Sequence, residues 1–386
     1  MTNLASSGLL IVPALYLFAN LYLYKWFIRL TRPPEKMRRS IRLAFILLVV
    51  LFPVSKLLGR HDFNSFSHLL NFVSSIWMGF ALYFCILAIG SDLLRFLIRR
   101  LPFSPGFFPG ESLFHRRFLA GCISLGVLAI GGYSLWEARN IEVTRLEIPL
   151  RNLPAGMDGI SLVQISDVHY GMLNENGRLF KIVQQVNDLR PDMVVITGDL
   201  VDESVAHMEE MAGPLSSLKT RLGVFAIMGN HEFFANVDRA MAIMRQAGVK
   251  VLRNEITILP GGLQILGIDD PIVLRRRGKP IPDFDSLIAR LDPEKPSILL
   301  YHQPIHFDKV ASSGVGLQLS GHTHGPQLLP MRPLAWLLFP RTRGLFQVGE
   351  SHLYVSRGVG TGGPPMRYGS PPELVYIRLR AQCGDG

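Results

Sequence analysis

The sequence predicts an α/β domain preceded by an all-α transmembrane region of four helices. Of the 386 residues, 48% are hydrophobic and only 18% are charged, which is too apolar for an ordinary soluble enzyme. After residue 140 the long apolar runs give way to short β-rich segments that alternate with amphipathic ones, a pattern typical of an α/β sheet. We therefore predict a membrane anchor over residues 1–140 and a second domain over residues 141–386.

Four stretches of the first region reach or approach the length of roughly 20 apolar residues that a membrane-spanning helix needs. The second is the weakest, because only 13 uncharged residues separate Arg42 from Lys56, so both cations must extend toward the interface. A signal peptide followed by buried core helices is the alternative, but cleavage would leave three apolar segments unexplained. The predicted spans cover about residues 8–28, 41–58, 69–91 and 118–136.

The formal charge of +10 lies entirely in the apolar region. Residues 1–140 contain 15 Lys and Arg against 5 Asp and Glu, whereas residues 141–386 contain 25 of each. Basic loops beside membrane spans favour the cytoplasmic side, and the clusters within 29–42 and 95–117 share that side if four helices cross. The sequence thus predicts a multi-pass protein of the cell membrane with an extracytoplasmic C-terminal domain. Because that domain is neutral, we expect no nucleic-acid partner.

Eight short apolar segments of the second domain are predicted strands, and amphipathic helices are predicted over Asn176–Leu189 and Asn236–Gln246. Polar residues follow several of these strands directly, at the edge where an α/β sheet binds its ligands. The predicted strands are Ile160–Ser166, Met193–Thr197, Gly223–Met228, Leu263–Ile268, Ile298–Tyr301, Leu317–Ser320, Leu353–Ser356 and Leu374–Leu379.

Five segments at these strand ends contain residue types that bind divalent metals. Asp167 and His169 stand two apart, so their side chains can point to one side. Each segment alone is weak evidence, since Asp-x-His and Gly-Asp also occur in ordinary turns. Five of the 11 histidines stand at strand ends, and we expect the other six to be structural. Those six are His61, His68, His115, His207, His306 and His352.

Cysteine contributes no chemistry to this prediction. Cys85 and Cys122 lie in apolar runs and Cys383 is near the end of the chain, so no disulfide framework and no CxxC metal knuckle is formed.

Taken together, the five segments follow the order D-x-H, G-D, G-N-H-[D/E], H and G-H-x-H from Asp167 to His324. In this they resemble the calcineurin-like metallophosphoesterases, in particular the bacterial membrane-associated branch. The resemblance covers roughly residues 158–380, including the Gly/Pro-rich stretch that follows Arg357. It implies that the second domain is an α/β metallophosphoesterase sandwich and that the protein is a metal-dependent phosphoric ester hydrolase. It implies nothing about residues 1–140.

The resemblance also implies a dinuclear metal site. One ion would be held by Asp167, His169 and His324, the other by Asn230, His302 and His322, with Asp199 bridging the two. Carboxylate, amide and imidazole donors without a thiolate favour Mn, Fe or Zn over Mg. A metal-bridging hydroxide would attack the phosphorus in line. His231 would stabilise or protonate the departing oxygen, with a structural role as its alternative, and we expect Glu232 to hold an imidazole from outside the metal shell.

The sequence indicates the substrate less directly than it indicates the metal site. A phosphodiester or pyrophosphate of a lipid-linked or envelope compound is the first candidate, with membrane lipids as partners. The motifs leave mono- versus diester preference and the oligomeric state open, so a phosphomonoesterase of soluble substrates is an alternative. A transporter or sensor with a regulatory phosphoesterase domain is another, although no span carries a midmembrane charge. The lack of Arg-Gly after Asp202 disfavours a protein phosphatase.

Two other segments bear on the substrate. Pro333–Pro340 is apolar and flanked by Arg332, Arg341 and Arg343. It is predicted either as a core strand or helix, or as a loop whose apolar tip touches the membrane while the arginines meet headgroup phosphates. The run 275–277 of three arginines is either a solvated loop or a group that attracts anionic substrate or lipid.

Overall fold

The computed structural model describes residues 3–61, 65–100, 112–171, 176–202 and 207–382, and at residues 3–12, 59–61, 65 and 176 it describes the backbone only. Cys383 lies outside the described residues. The chain divides into two compact units. We call Met1–Trp136 with Gly363–Met366 the helical unit, and Glu137–Gly362 with Arg367–Gly386 the α/β unit.

Four long helices carry the apolar region, and all four predicted spans fall inside them. Each helix extends beyond its predicted span, because helical hydrogen bonding continues through the charged residues that end an apolar run. Stretches long and apolar enough to cross a membrane lie at Glu35–Leu58, Phe66–Arg100 and Leu113–Glu137, so the span that was weakest in the sequence is among them. The helices are α1 (Asn3–Thr31), α2 (Glu35–His61), α3 (Ser65–Arg100) and α4 (Leu113–Glu137).

The described part of the helical unit exposes apolar side chains and buries polar ones. Phe18 is 67% exposed and Leu125 is 69% exposed, whereas Asn20 and Ser74 are buried. Inside the unit, Trp77 Nε1 donates a hydrogen bond of 3.0 Å to Asn20 Oδ1. This arrangement is typical of helices in lipid, where apolar surface is tolerated outside and polar side chains bond between helices.

Two six-stranded sheets form the α/β unit. In the first sheet the order is β1-β12-β2-β3-β4-β5, and β2 to β5 are parallel. Its strands are β1 (Glu142–Leu150), β2 (Ser161–Ile165), β3 (Met193–Ile196), β4 (Gly223–Ala226), β5 (Lys250–Val251) and β12 (Glu373–Ala381).

The second sheet has the order β10-β11-β9-β8-β7-β6, with β7, β8, β9 and β11 parallel to one another. Its strands are β6 (Glu255–Ile258), β7 (Gln264–Ile268), β8 (Ser297–Tyr301), β9 (Leu317–Ser320), β10 (Gly344–Val348) and β11 (Ser351–Val355).

The predicted fold class is confirmed, and each of the eight predicted strands corresponds to a strand of the structure. The four strands that the sequence did not predict, β1, β5, β6 and β10, are the edge strands of the two sheets. An edge strand is less fully covered than a central one, so it need not be a continuous apolar run. In β10, for example, Leu345 and Val348 are both exposed.

Helices cover the sheets and connect their parallel strands. Both predicted helices are present, as α5 (Asn176–Asp188) and α8 (Val237–Gln246). The others are α6 (Ala212–Ser216), α7 (Asn230–Ala235), α9 (Pro271–Arg276), α10 (Phe284–Ile288), α11 (Phe307–Ser312) and α12 (Arg332–Leu338).

The main core lies between the two sheets. Leu162 and Phe225 of the first sheet share one buried apolar cluster with Ile265, Ile298 and Leu319 of the second. Separate clusters lie under α5 and α8 on one outer face and under α10 and α11 on the other. The unit is therefore a layered sandwich, with the two sheets around the main core and helices on both outer faces.

Candidate metal centre

The seven predicted metal ligands all lie directly after parallel strands, in loops or at the start of a helix. In the first sheet, Asp167 and His169 follow β2, Asp199 follows β3, and Asn230 begins α7 after β4. In the second sheet, His302 follows β8, and His322 and His324 follow β9.

One group of donors contains Asp167, His169 and His324. The Nε2 atoms of His169 and His324 are 3.0 Å apart, and His324 Nε2 is 3.7 Å from Asp167 Oδ1. One potential ligand atom from each of the three residues lies within 4.8 Å of the others. At most one proton fits between the two ring nitrogens, so at least one of them presents a lone pair to the group.

A second group contains Asp199, His302 and His322. Asp199 Oδ2 is 3.1 Å from His302 Nε2 and 3.9 Å from His169 Nε2. His322 Nδ1 is 3.3 Å from His302 Nε2. The Asp199 carboxylate therefore lies between the two groups, the position that a ligand shared by two ions would occupy.

Two features, one at His302 and one at the nearby motif residue Asn230, suit the binding of a cation. His302 Nδ1 lies 2.7 Å from the carbonyl oxygen of Thr197, which can only accept, so Nδ1 keeps its proton and Nε2 is the nitrogen that a cation would bind once its proton is displaced. Asn230 Oδ1 is buried, and no described residue donates a hydrogen bond to it. A buried acceptor without a donor is costly unless another group binds it, and a metal ion satisfies that requirement.

Five of the seven residues have a left-handed backbone, with φ between 49° and 71°. Such angles are uncommon for residues other than glycine and cost on the order of 1–3 kcal/mol each, and they concentrate at functional sites. The loops are also tightly packed: a Cβ at Gly321 would overlap Ser166 Oγ and Asp167 Oδ2. The five residues are Asp167, His169, Asp199, His322 and His324.

Burial keeps three of the four imidazoles neutral. It lowers the pKa of His169 and of His322 to about 4 and that of His324 well below its usual value. A neutral imidazole is the form that binds metal. At His302 burial also lowers the pKa, but the Asp199 carboxylate outweighs it and raises the pKa to about 10. Burial raises the pKa of Asp199, and His302 reverses that effect and holds it well below its usual value.

His231 lies beside both groups and is paired with an acid. Its ring centroid is 4.5 Å from that of His169, and its Nδ1 is 3.3 Å from Asp202 Oδ1. Burial lowers the pKa of His231, but the nearby Asp202 carboxylate and the Asp199 charge outweigh it and raise the pKa to about 9. Asp202 was not among the predicted site residues. Its position three residues after Asp199 could have indicated that it lies near the site.

Glu232 has a different role from the one expected. Its buried carboxylate accepts backbone N–H bonds from Asp199 (3.0 Å), Val201 (3.0 Å) and Gly229 (2.8 Å) instead of holding an imidazole. These three bonds join the loop after β3 to the loop after β4, which carry Asp199 and Asn230. The carboxylate positions two of the proposed ligands through the backbone.

Arg367 was also missed by the sequence reasoning. This fully buried guanidinium donates to the carbonyl oxygens of Gly358, Gly360, Ser370 and His324. The segment it supports packs on the β2 loop, where Gly360 N donates to Asp167 O at 2.9 Å. No local motif marks this arginine, because its partners meet only in the folded chain.

The remaining histidines take no part in the clustered donor groups found among the described residues. His207 pairs with Glu210 at the surface, and His352 is buried in β11. The ring of His306 packs near Phe284.

Comparison with known proteins agrees with this geometry. A family model described as calcineurin-like phosphoesterase matches residues 160–326, the range that contains every proposed ligand. A metallophosphoesterase of Aquifex aeolicus is 34% identical over 255 residues, which cover 66% of this chain and 97% of that protein.

Two relatives extend over both units. A Danio rerio protein named "transmembrane protein with metallophosphoesterase domain" is 32% identical over 397 residues, covering 96% of this chain and 89% of its own. A metallophosphoesterase of Helicobacter pylori (strain J99) is 30% identical over 387 residues, covering 97% and 98% of the two chains. The similarity therefore includes the apolar helices as well as the α/β unit.

Proposed function

The chain belongs to the calcineurin-like phosphoesterase family and is a metal-dependent phosphoesterase, and from that premise we propose its ligands, substrate and orientation. We propose that one divalent ion is held by Asp167, His169 and His324 and the other by Asn230, His302 and His322, bridged by Asp199. The observation that carries the proposal is the position of Asp199, whose Oδ2 lies within 3.9 Å of an imidazole from each donor group.

The donor set also bears on the metals. Four imidazoles, two carboxylates and one amide make a nitrogen-rich site, which suits Mn, Fe or Zn better than Mg. Two such ions, when bound, supply an activated water as nucleophile and positive charge for the phosphoryl oxygens.

His231 is proposed as the general acid. Its proton is retained by the ion pair with Asp202, and its ring packs perpendicular to the ring of His169. The imidazole side chain is 21% exposed, so the leaving group of a bound substrate can reach it. Asp202 fixes the ring orientation through Nδ1 and leaves Nε2 for the departing oxygen.

The proposed substrate is a phosphodiester or pyrophosphate of a lipid-linked or envelope compound. Support comes from the three helices that can cross a membrane and from the relatives named as transmembrane proteins. A chain anchored in a bilayer meets lipid phosphoesters at high local concentration.

We further propose that the α/β domain begins after residue 140, in the connection between α4 and β1, and that it is extracytoplasmic. Contacts inside the helical unit support this orientation. Arg29 Nη2 donates to Asp92 Oδ1 at 2.7 Å, and Arg117 Nε donates to the carbonyl oxygen of Thr31 at 2.9 Å. The two basic clusters therefore lie at the same end of the helical unit, as a common cytoplasmic side requires.

The test of the proposed function is an assay of the purified full chain on bis(p-nitrophenyl) phosphate with Mn, Zn or Mg, beside Asp199→Asn. We expect metal-dependent turnover by the wild type and a loss of about 10³-fold in the variant, because a bridging charge is removed. The metal content of both proteins is measured in parallel. Retention of wild-type turnover and metal content by Asp199→Asn would contradict the bridging role.

A further inference from the structure

The segment after the last metal-ligand motif exposes an apolar helix beside the metal centre. In α12 the exposed fraction is 51% for Leu334, 56% for Trp336, 81% for Leu337 and 67% for Leu338. The helix buries none of its residues. The next residue, Phe339, places its ring centroid 5.4 Å from that of His322. The first sequence alternative, a core helix, is therefore wrong, and the apolar surface adjoins a proposed metal ligand.

The three flanking arginines hold this helix in place. Arg332 and Arg343 both donate to the carbonyl oxygen of Gly369, at 3.0 and 2.9 Å, and Arg341 pairs with Asp308 at 2.7 Å. Their guanidinium groups are thus engaged by the α/β unit, which differs from the sequence expectation that they would meet headgroups. The consequence is a fixed base from which the apolar side chains project.

Arg and Lys side chains that form no ion pair with a described residue lie in and after another helix, at the same edge of the second sheet. Arg275, Arg276, Arg277 and Lys279 are exposed, and none forms an ion pair with any residue that the structure describes. They belong to α9 and the turn after it, which follow β7. Because β7 is parallel to β8 and β9, this helix leaves the sheet at the edge that carries His302 and His324.

Exposed apolar side chains concentrate at this edge. Among the described residues of the α/β unit, twelve large apolar side chains are exposed, and eight of them belong to segments that leave the carboxyl ends of β4, β7 or β9. Scattered single residues of this kind are normal, but a concentration around a site marks an interaction surface. The eight are Phe234, Ile272, Ile281, Leu329, Leu334, Trp336, Leu337 and Leu338.

We propose that this edge is a membrane-docking surface, with α12 inserted at the boundary between headgroups and acyl chains of an anionic bilayer and the α9 cations at the headgroups. The proposal rests on the proposed function as a membrane-anchored phosphoesterase. Apolar side chains beside Lys and Arg form the combination that binds anionic membrane surfaces, and Trp336 is the residue type that favours the interface.

A bilayer fits this edge better than a second copy of the chain. Two copies facing each other through the same edge would bring their α9 cations together, and like charges oppose such contacts. The chain also carries helices long and apolar enough to cross a membrane, so a bilayer is available to every copy of the chain. Docking would present the metal centre to phosphoesters at headgroup depth, which defines the substrate class as lipid-linked phosphoesters.

The test measures tryptophan quenching of the full chain in nanodiscs of phosphatidylcholine and phosphatidylglycerol, with and without brominated acyl chains. Subtracting the signal of Trp336→Phe from that of the wild type isolates Trp336 from Trp26, Trp77 and Trp136. The matched control is Ile258→Trp in the Trp336→Phe background. Ile258 is also exposed, at 59%, but it pairs with Gln264 at the amino end of β7, on the opposite end of the same sheet.

We expect brominated lipid to remove most of the Trp336 emission and none of the emission at position 258. Replacing Arg275, Arg276 and Arg277 by Glu should reduce the quenching in anionic discs and leave it unchanged in neutral ones. Absent quenching at Trp336, or equal quenching at both positions, would overturn the proposal.

Leu337→Glu separates docking from catalysis. We expect this variant to lose Trp336 quenching and turnover of a phospholipid diester while keeping turnover of bis(p-nitrophenyl) phosphate. Equal turnover of the phospholipid by variant and wild type would overturn the role in substrate access. Failure of the wild type on the soluble diester would instead contradict the proposed function, whatever the quenching shows.

Discussion

The helical unit and the α/β unit use buried polar groups in opposite ways. In the helical unit they form isolated pairs between helices, such as Trp77 with Asn20. In the α/β unit they converge on one edge, where a single carboxylate, Glu232, receives three backbone donors and positions two loops. Polar pairs between helices in a membrane contribute roughly 0.6 kcal/mol on average, whereas the partners that orient metal ligands change metal affinity by about 10–100-fold. Removing a polar pair between helices should therefore change stability slightly, whereas removing a group that positions metal ligands should change metal affinity strongly.

The largest loss of activity is expected when His231 is replaced. His231→Gln should lower kcat by about 10²–10⁴-fold for a diester with an alkyl leaving group, because a protonated imidazole no longer serves the departing oxygen. With p-nitrophenolate, which leaves without a proton, the loss should be much smaller. The measurement is kcat for both substrates at constant metal content.

Asp202→Asn is the matched variant for that prediction, since it keeps His231 but removes the charge that holds its proton. We expect the same dependence on leaving group with a smaller loss. If His231→Gln slowed both substrates equally, His231 would have a structural role and not that of an acid.

The next prediction concerns Glu232. Glu232→Gln replaces one of the acceptor oxygens by a donor facing backbone N–H groups, so metal affinity should fall by about 10–100-fold and the free energy of unfolding by about 1–3 kcal/mol. Metal titration and denaturant unfolding of the full chain measure the two effects.

Glu209→Gln is the control for Glu232, because Glu209 forms an exposed ion pair with Arg239. It should change neither quantity measurably. Wild-type metal affinity in Glu232→Gln would mean that the three backbone bonds do not position the ligands.

How much the sequence could predict differs between parts of the α/β unit. Strands β2, β3, β4, β8 and β9 are almost entirely buried, so each reads as an apolar run, and the donor residues follow at their ends. The edge strands lack that signal. For β1, the alternation of exposed and buried positions is interrupted, and its pairing with β12 joins residues more than 200 positions apart, as in Glu142 with Glu373.

The same distinction applies to the site. Candidate ligands could be predicted because they occur in short motifs, and potential ligand atoms of six of the seven lie in clusters in the structure. Arg367 could not, since its four carbonyl partners lie in different turns and become neighbours only after the sandwich closes. The role of Glu232 was misjudged for a related reason. The sequence shows that a carboxylate is present, but only the fold determines whether an imidazole or backbone N–H groups donate to it.

The smallest effect is expected in the helical unit. Asn20→Leu keeps the number and branching of the side-chain heavy atoms but removes the bond from Trp77 and the bond from Asn20 Nδ2 to the carbonyl oxygen of Tyr16. We expect a loss of about 1 kcal/mol or less in unfolding by SDS from mixed micelles, with unchanged turnover of bis(p-nitrophenyl) phosphate. Leu in a lipid-surrounded helix is itself favourable, which further limits the loss. A tenfold decrease in turnover would contradict the comparison, because it would mean that packing among the helices controls the geometry of the metal centre.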